Sequence, residues 1–531
     1  MDVFDIIIIG AGSAGCVLAD RLSVDGRMSV LVLEAGGTDR RPFLKLPIGY
    51  GKTFHDPKVN WRFRTEAEPQ LDGRSIYWPR GKGLGGSSSI NGLVWSRGLP
   101  GDYDDWAAAG NPGWDWASVA PVFDRVEKRI GLNGRVDGEG PIAVADRSNA
   151  YNPIKRFFLA AAEEIGLPPV NQHAPVWSEG VGPYHLTTHK GLRCSAADAF
   201  LRPAMKRSNV CVQTSAQVTR LTFDGKRATG VEVRLSGQLH SFRARREVIL
   251  SAGAVHSPQI LQVSGVGPGN LLQDKGIAVL HANDAVGGGL QDHMGVDFLY
   301  KATEPTLNQE LGTWWGLTKS ALKFALRRAG PLSLSVNQMG GMVRTSPELP
   351  RADMQIYFNP VSYTFTHRNK RPLLQPDKWP GFNVGYNSCR PVSRGRIDIT
   401  SPTIEDAPLI QPRYLSGQQD IDEAVAGTRL IERLMSATAM RPLIDGPNGF
   451  TPEGASDAEV VDHVRATAST VFHACGTCRM APNGVVGPDL KVHGVEGLRV
   501  IDASVFPNIT SANTNAPTVM LAQKAAEIFL S

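Results

Sequence analysis

The chain has 531 residues, a length that predicts several domains or one large two-lobed enzyme. Its 42% hydrophobic and 20% charged residues are typical of a globular protein and exclude a disordered or collagen-like chain. The formal net charge of +5 is dispersed along the sequence, so we expect no nucleic-acid partner.

Cysteine usage and the absence of targeting segments indicate the compartment. The six cysteines are irregularly spaced and do not form a disulfide framework, which favours a reducing environment. The first residues lack the features of a secretion signal, and no apolar run is long enough for a membrane span. We therefore expect a cytoplasmic protein with no transmembrane segment. Peripheral association with the inner face of a membrane stays open.

The N-terminus carries a dinucleotide-binding pattern. "DIIIIG" at 5–10 predicts a strand buried on both faces of a parallel sheet. A G-x-G-x-x-G turn follows, formed by Gly10, Gly12 and Gly15, and a predicted helix and a second strand ending at Glu34 come next. Because these parts arrive in the expected order, the pattern predicts a site for an ADP-containing cofactor, and both NAD and FAD fit it.

Each residue of this pattern has a physical role. Gly10 permits the tight turn, Gly12 lets the backbone approach a pyrophosphate, and Gly15 lets helix and strand pack closely. The amino end of the helix favours the negative charge of the phosphates. Glu34 is predicted to accept hydrogen bonds from ribose hydroxyls. The neighbouring residues of the two turns are predicted as further cofactor contacts: Ser13, Ala14 and Ala35.

Two further glycine-rich stretches resemble the signature segments of the glucose-methanol-choline (GMC) oxidoreductase family. They are "GKGLGGSSSINGLVWSRG" at 81–98 and "GAVHSPQILQVSGVG" at 253–267. The resemblance continues through 202–233, 286–293 and 493–529, and so covers essentially the whole chain. It implies FAD as the cofactor and oxidation of an alcohol as the reaction.

The resemblance also implies a fold class and a domain division. We expect an α/β protein with a Rossmann-like FAD-binding domain and a substrate-binding lobe built on an antiparallel sheet with helices. The predicted FAD-binding domain is discontinuous and comprises 1–150, 195–295 and 465–531. The predicted substrate-binding domain comprises 151–194 and 296–464.

Further cofactor contacts follow from the resemblance alone. Gly85 is expected to let the chain pass close to the flavin ring, Val218 to meet the adenine through its backbone, and Asp502 to lie near the ribityl or pyrophosphate. The remaining expected contacts are Ser87, Asn91, Gly92, Val94, Asn513 and Thr514. Some family members carry a histidine before the equivalent of Asn91 that binds the flavin covalently. This chain has Ile90 there, so we predict non-covalent FAD.

The middle of the chain lacks glycine fingerprints and predicts the substrate lobe. Residues 313–331 predict an amphipathic helix ended by Gly330 and Pro331, with Trp314 and Trp315 packed in the core. Residues 352–360 predict a strand of the sheet that roofs the active site. Residues 387–402 predict two strands with a turn at 393–395.

The C-terminal stretch predicts strand, loop and helix. "LRVID" is an apolar strand, and the helix "PTVMLAQKAAEIFL" has Pro517 in its first turn. Between them lies a polar loop that contains Asn513. The amino end of this helix is suited to stabilise negative charge on a reduced flavin.

The motif "VFHACGTCRM" at 471–480 allows three interpretations: a redox pair Cys475/Cys478, half of a metal site, or a lone base His473. No second CxxC or Cys/His pair completes a zinc site, and a thioredoxin-like pair belongs to a domain of its own, so we favour packing cysteines and no metal. Alcohol oxidation needs a base beside the flavin, and histidine suits that task. By resemblance, His473 is the active-site histidine and Asn513 the partner that orients the substrate oxygen.

These observations predict an FAD-dependent oxidoreductase that converts an alcohol CH–OH group to a carbonyl. A neutral primary alcohol is the expected substrate, and either dioxygen or a quinone or dye-type molecule is the expected electron acceptor. Choline remains an alternative substrate, although no acid-plus-aromatic cluster for its ammonium group can be placed from the sequence. An FAD-containing lyase of the same fold, similar to hydroxynitrile lyases, is a second alternative.

Overall fold

A computed structural model describes residues 2–170, 179–368 and 371–531. Two large sheets and the helices around them position the site. The α-helices in the described residues are Ser13–Ser23, Pro42–Lys45, Tyr50–Thr53, Pro100–Ala108, Trp116–Val126, Lys155–Glu164, Arg202–Ala204, Gly253–Val263, Gly269–Asp274, Leu307–Gly312, Trp314–Arg327, Gln418–Ser436, Asp457–Thr467 and Asn515–Leu530. None of them is long and apolar enough to cross a membrane.

The first sheet has a parallel core, as predicted. It contains the seven strands Asp2–Ile9, Val30–Glu34, Val210–Thr214, Ala216–Asp224, Arg227–Leu235, Gln238–Leu250 and Leu498–Val500. The N-terminal strand pairs in parallel with Val30–Glu34 on one side and Gln238–Leu250 on the other. Ile6 to Ile9 are buried, as expected for a strand covered by helices on both faces. The carboxyl ends of these strands define the crevice in which α/β sheets bind their ligands.

The second sheet is antiparallel, as predicted for the substrate lobe. Its seven strands are Gly180–Pro183, Met294–Ala302, Met339–Val343, Met354–Asn359, Gly381–Ser388, Ile444–Pro447 and Ser469–Thr470. The predicted strand at 352–360 is therefore present as Met354–Asn359. We predicted that the chain from 465 onward belongs to the FAD-binding domain. The strand Ser469–Thr470 nevertheless pairs with the second sheet. The domain division itself stays a prediction.

Smaller sheets complete the described strands. They pair Phe63–Glu68 with Arg74–Trp78, Thr188–His189 with Leu192–Arg193, Val266–Gly267 with His281–Ala282, and Tyr363–Arg368 with Arg371–Pro376; Glu127–Ile130 pairs with Val136–Asp137 and Ile142–Ala145, and Gly395–Asp398 with Gly288–Leu290 and Leu409–Gln411. The two strands predicted within 387–402 are thus the end of Gly381–Ser388 and Gly395–Asp398. They do not pair with each other, because the second joins a different sheet.

The helix at 314–327 forms as predicted, but its tryptophans are not in the core. Trp314 and Trp315 are 66% and 71% exposed and stack on each other with ring centroids 4.2 Å apart. The prediction of core packing was wrong because only Ser320 and Phe324 of this helix are buried. An amphipathic pattern reveals that a helix has an apolar face, but not whether the protein itself covers that face.

The glycine turn is built as the motif requires. Gly10 has φ +100°, and a Cβ atom there would lie 2.5 Å from the carbonyl oxygen of Ser251. A Cβ atom at Gly15 would lie 1.9 Å from the carbonyl oxygen of Gly10, so only glycine lets the first helix pack against this strand. The close approach fixes the amino end of the helix beside the carboxyl end of the strand.

The substitution Gly15→Ala tests this packing. Helix propensity alone favours alanine by up to about 1 kcal/mol. The steric conflict with backbone atoms is expected to dominate and to lower the free energy of unfolding by about 1–3 kcal/mol. Denaturant unfolding of the variant measures the difference. Gly37→Ala is the matched control, since a Cβ atom there meets nothing within 4 Å. Equal stability of the two variants would contradict the packing argument.

Candidate active site

One continuous cavity of about 1680 Å³ connects the N-terminal glycine turn with His473 and Asn513. It is larger than the 300–1000 Å³ usual for a single small ligand. A cofactor and a substrate can therefore occupy it together. Its walls come from the carboxyl edge of the first sheet, from the 81–94 segment and from one face of the second sheet.

Most predicted cofactor residues line this cavity: Gly10, Gly12, Ser13, Ala14, Glu34, Ala35, Ser87, Asn91, Gly92, Val94, Val218, Asp502, Asn513 and Thr514. Gly15 and Gly85 are not part of its lining. Gly15 lies behind the turn, as its packing role requires. Gly85 has φ +86° and donates its N–H to the Ala11 carbonyl oxygen at 2.8 Å, whereas its neighbour Gly86 reaches the cavity. Gly85 therefore holds the second glycine loop against the first.

Glu34 ties these two loops together. Its carboxylate accepts hydrogen bonds from the N–H groups of Ala11 at 2.9 Å, Gly36 at 2.7 Å and Gly83 at 2.9 Å. Burial raises the pKa of Glu34, and the three N–H donors oppose that rise. A carboxylate has about four acceptor positions, so acceptance from a ribose hydroxyl remains available and stays a prediction.

The cavity fits the dinucleotide part of FAD. A Cβ atom added at Gly12 would have only the Ser251 carbonyl oxygen nearby, at 3.9 Å. The space in which a pyrophosphate is expected is therefore open. Two helices begin at this point, Ser13–Ser23 and Asn515–Leu530, and the Ser13 hydroxyl donates to the Asn515 side-chain oxygen at 2.7 Å. Two helix amino ends directed at one space favour an anion.

His473 lies at the other end of the cavity in a chain of hydrogen bonds. Its Nδ1 lies 2.9 Å from Nδ1 of His293, and its Nε2 lies 3.0 Å from Nδ2 of Asn513. His293 is fully buried, and its Nε2 lies 3.2 Å from the Cys389 carbonyl oxygen. Sequence reasoning identified His473 and Asn513 but not His293.

The Cys389 carbonyl oxygen determines the tautomers of both rings. A carbonyl only accepts, so Nε2 of His293 carries the proton and its Nδ1 is an acceptor. His473 must then donate from Nδ1, which leaves the lone pair on Nε2. That lone pair faces Asn513 and the cavity. The arrangement presents an unprotonated ring nitrogen, which is the form that a general base requires.

The surroundings of His473 keep it neutral. Burial, His293 and the guanidinium of Arg80 lower the pKa of His473 well below its ordinary value. Burial lowers the pKa of His293 to about 4. Both rings are consequently neutral near pH 7, which the tautomer argument assumes.

Asp292 fixes the backbone that carries His473. Its carboxylate accepts the His473 N–H at 2.7 Å and the hydroxyls of Thr470 at 2.5 Å and Tyr414 at 2.6 Å. Gln291 and Cys475 exchange two backbone hydrogen bonds at 2.9 and 3.0 Å. The 291–293 and 471–475 segments thus run side by side and bring the two imidazoles together.

Asp102 holds the loop that carries Asn513. Its carboxylate accepts the Ser511 N–H at 2.8 Å, the Ser511 hydroxyl at 2.5 Å and the Leu99 N–H at 2.8 Å. Oδ1 of Asn513 has no hydrogen-bond partner within the described residues. The Asn513 amide is therefore anchored through its Nδ2 side, and its oxygen is available to a ligand.

The thiols of the CxxC motif are packing groups. Cys475 and Cys478 are fully buried in the hydrophobic cluster of the first sheet, and both are free. Burial raises the pKa of both thiols far above the ordinary value, so neither forms the reactive thiolate. Within the described ranges, no group of three or more His, Cys, Asp or Glu residues is arranged to hold a metal ion.

An acid-plus-aromatic cluster lines the substrate end, and the sequence did not reveal it. Asp297 faces the cavity from the strand Met294–Ala302. Its carboxylate accepts the Tyr357 hydroxyl at 2.8 Å and the Tyr363 hydroxyl at 3.4 Å. A Cβ atom at Gly295 would lie 3.0 Å from the Tyr357 hydroxyl and 2.5 Å from the Val471 side chain. The cluster therefore adjoins the segment that carries His473. The protein around the Asp297 carboxylate desolvates it and raises its pKa, although the side chain is exposed to the cavity, and hydrogen bonds from tyrosine hydroxyls oppose the rise.

Comparisons with known proteins identify the family. Two GMC oxidoreductase family models match residues 4–295 and 391–522. The chain is 38% identical to an oxygen-dependent choline dehydrogenase of Photobacterium profundum, over 99% of this chain and 93% of that protein. It is 37% identical to an alcohol dehydrogenase [acceptor] of Pseudomonas putida, over 99% and 96%.

Solved structures with the same fold include a pyridoxine 4-oxidase from Mesorbium loti, with a TM-score of 0.87, 28% identity and 98% of each chain covered. An FAD-dependent oxidoreductase from Chaetomium thermophilum matches with a TM-score of 0.88 and 25% identity over 99% of each chain. Fold, cavity and relatives together define an FAD-dependent oxidoreductase that acts on CH–OH donors. The chain belongs to the GMC oxidoreductase family.

Three candidate functional residues were not predicted from the sequence, because the fold brings them to the site: His293, Asp292 and Asp297. The first two lie in "VGGGLQDH", which contributed only to the family resemblance. A histidine and an aspartate lie directly before the strand Met294–Ala302, which the sequence analysis did not predict. Asp297 lies between the buried residues Val296 and Phe298. This alternation predicts that the Asp297 side chain points away from the core, but it does not predict that the side chain lines a cavity.

We expect the imidazole of His473 to remain neutral where an ordinary histidine becomes charged. A lowered pKa means that protonation begins only below about pH 6.5, so Nδ1 should carry the proton and Nε2 should not at about pH 6. Nitrogen-15 chemical shifts of labelled histidines in the FAD-loaded protein measure this, with a His473→Gln variant to assign the signal. An imidazolium signal for His473 at about pH 6 would contradict the prediction.

Proposed function

We propose that the chain oxidises a primary alcohol to its carbonyl compound with His473 as the general base. The observation that carries the proposal is the unprotonated Nε2 of a neutral His473 beside Nδ2 of Asn513. Because this nitrogen carries no proton, it can accept one from a hydroxyl group directly, and the histidine does not first have to be deprotonated.

The residues act on the alcohol oxygen in a defined order. The substrate hydroxyl replaces Nδ2 of Asn513 as the donor to Nε2 of His473, and Nδ2–H of Asn513 then donates to the substrate oxygen and orients it. When the proton moves to Nε2, the His473 ring becomes cationic. Its Nδ1–H keeps its hydrogen bond to Nδ1 of His293, 2.9 Å away, which holds the ring in position. Bound FAD supplies the acceptor for the hydride that leaves the substrate carbon.

The chain holds FAD without a covalent bond in this proposal. Ile90 lines the cavity and has no nucleophilic atom. The residues that would hold the dinucleotide are the lining residues of the two glycine loops together with Val218 and Asp502. Dioxygen or a quinone-type molecule receives the electrons afterwards.

A second candidate substrate class is favoured by Asp297. This carboxylate is hydrogen-bonded by tyrosine hydroxyls, and within the described residues no cationic side chain is among the groups that shift its pKa. An anion and aromatic rings on one cavity wall suit an ammonium group. This observation supports an alcohol with a cationic group, such as the choline named for one relative.

The variant His473→Ala tests the proposed base. The rate constant of anaerobic flavin reduction by the best alcohol should fall about 10²–10⁴-fold, because proton transfer loses its acceptor. His240→Ala is the matched control, since His240 is exposed outside the cavity. Both variants should retain bound FAD. Unchanged flavin reduction in His473→Ala would refute the assignment.

Asp297→Asn separates the two substrate classes. If Asp297 binds a cation, kcat/KM for choline should fall about tenfold or more, while kcat/KM for its neutral isostere 3,3-dimethylbutan-1-ol should change little. Asp445→Asn serves as the control because Asp445 is exposed and does not line the cavity. Equal losses for both alcohols would show that Asp297 has no role in charge recognition.

A further inference from the structure

The helix Trp314–Arg327 exposes an apolar surface that none of the described residues covers. Its buried residues, Ser320 and Phe324, define the side that packs on the protein. At 100° per residue, Trp315, Leu322 and Leu326 project from the opposite side. They are 71%, 59% and 74% exposed. An ordinary surface helix has polar residues at such positions.

A row of cations flanks this apolar surface. Lys319, Lys323 and Arg327 follow one another at intervals of four residues, and Arg328 ends the helix. From 313 to 330 the sequence contains no aspartate or glutamate. The segment therefore combines exposed tryptophan and leucine on one side with four positive charges next to them, of which Lys319 and Lys323 interact with the carboxylate of Glu310 in the preceding helix.

We propose that the helix Trp314–Arg327 docks the protein on an anionic lipid bilayer. In this arrangement Trp315, Leu322 and Leu326 enter the boundary between head groups and acyl chains, as in helices that lie in the plane of a membrane. Tryptophan prefers that boundary because its ring is amphipathic. The lysine and arginine side chains extend to the anionic head groups.

The charge distribution favours a bilayer over a second copy of the chain. A symmetric dimer through this surface would place the row of Lys319, Lys323 and Arg327 close to an identical row. That contact is repulsive, whereas anionic head groups complement the cations. A bilayer also covers the whole apolar surface of the helix without requiring complementary shape.

The docking surface adjoins the entrance of the active-site cavity. Leu317 and Ala321 project from the edge of the same helix and line the cavity, together with Leu311 and Leu332 from the flanking segments. Docking would therefore bring the cavity next to the lipid phase. An apolar alcohol or a quinone-type acceptor dissolved in the bilayer would then reach the site without crossing bulk water.

Flotation of the FAD-loaded protein with lipid vesicles tests the proposal. Binding to vesicles that contain phosphatidylglycerol should be about tenfold or more stronger than binding to pure phosphatidylcholine vesicles, and added salt should weaken it. The triple variant Trp315→Ser, Leu322→Ser, Leu326→Ser should lose binding at least tenfold. Lys319→Glu with Lys323→Glu should lose the preference for phosphatidylglycerol.

A matched control carries Leu132→Ser and Leu239→Ser, two leucines exposed elsewhere on the surface. It should bind vesicles as the unchanged protein does. None of the substituted side chains lines the cavity, so oxidation of a water-soluble alcohol reports that every variant is folded. Absence of binding to both vesicle types would overturn the proposal. A dimer in solution that dissociates in the triple variant would also overturn it, because the surface would then belong to a second copy.

Discussion

The carboxylate of Asp292 is the constraint on which the candidate site depends. It is buried and accepts three hydrogen bonds, from the His473 N–H and from the hydroxyls of Thr470 and Tyr414. Burial raises the pKa of Asp292, and Arg80 and these donors lower it again. The bonds fix the 470–473 segment against the 291–293 segment. His293 and His473 meet only because this register is fixed.

The alignment of the 470–473 segment with the 291–293 segment connects the fold to the protonation state of His473. The Cys389 carbonyl oxygen directly follows the strand Gly381–Ser388 of the second sheet, and through His293 it determines which nitrogen of His473 is unprotonated. Asn513 comes from the last loop of the first sheet, where Asp102 holds its neighbours. An imidazole and an amide side chain from different parts of the fold are thus brought within 3.0 Å of each other at one end of the cavity. The glycine loops at the other end leave room for the cofactor.

Sequence predicted the parts of this molecule that depend on local patterns. The apolar run at 5–10, the spacing of Gly10 and Gly15, and the terminal strand, loop and helix are local, and each forms as predicted. His293 and Asp297 could not be assigned, because their roles arise from contacts with residues 180 and 60 positions away. Trp315 was misplaced for a related reason. Hydrophobicity predicts that a side chain avoids water, but whether the protein core or a lipid surface covers it is decided by the tertiary structure.

A crystal structure of the FAD-loaded protein with a bound alcohol analogue tests the central claim most directly. We predict that the analogue oxygen lies within about 2.6–3.2 Å of both Nε2 of His473 and Nδ2 of Asn513. Nδ1 of His473 should keep its contact with His293. An analogue oxygen bound to other groups, with Nε2 of His473 turned away from it, would contradict the account.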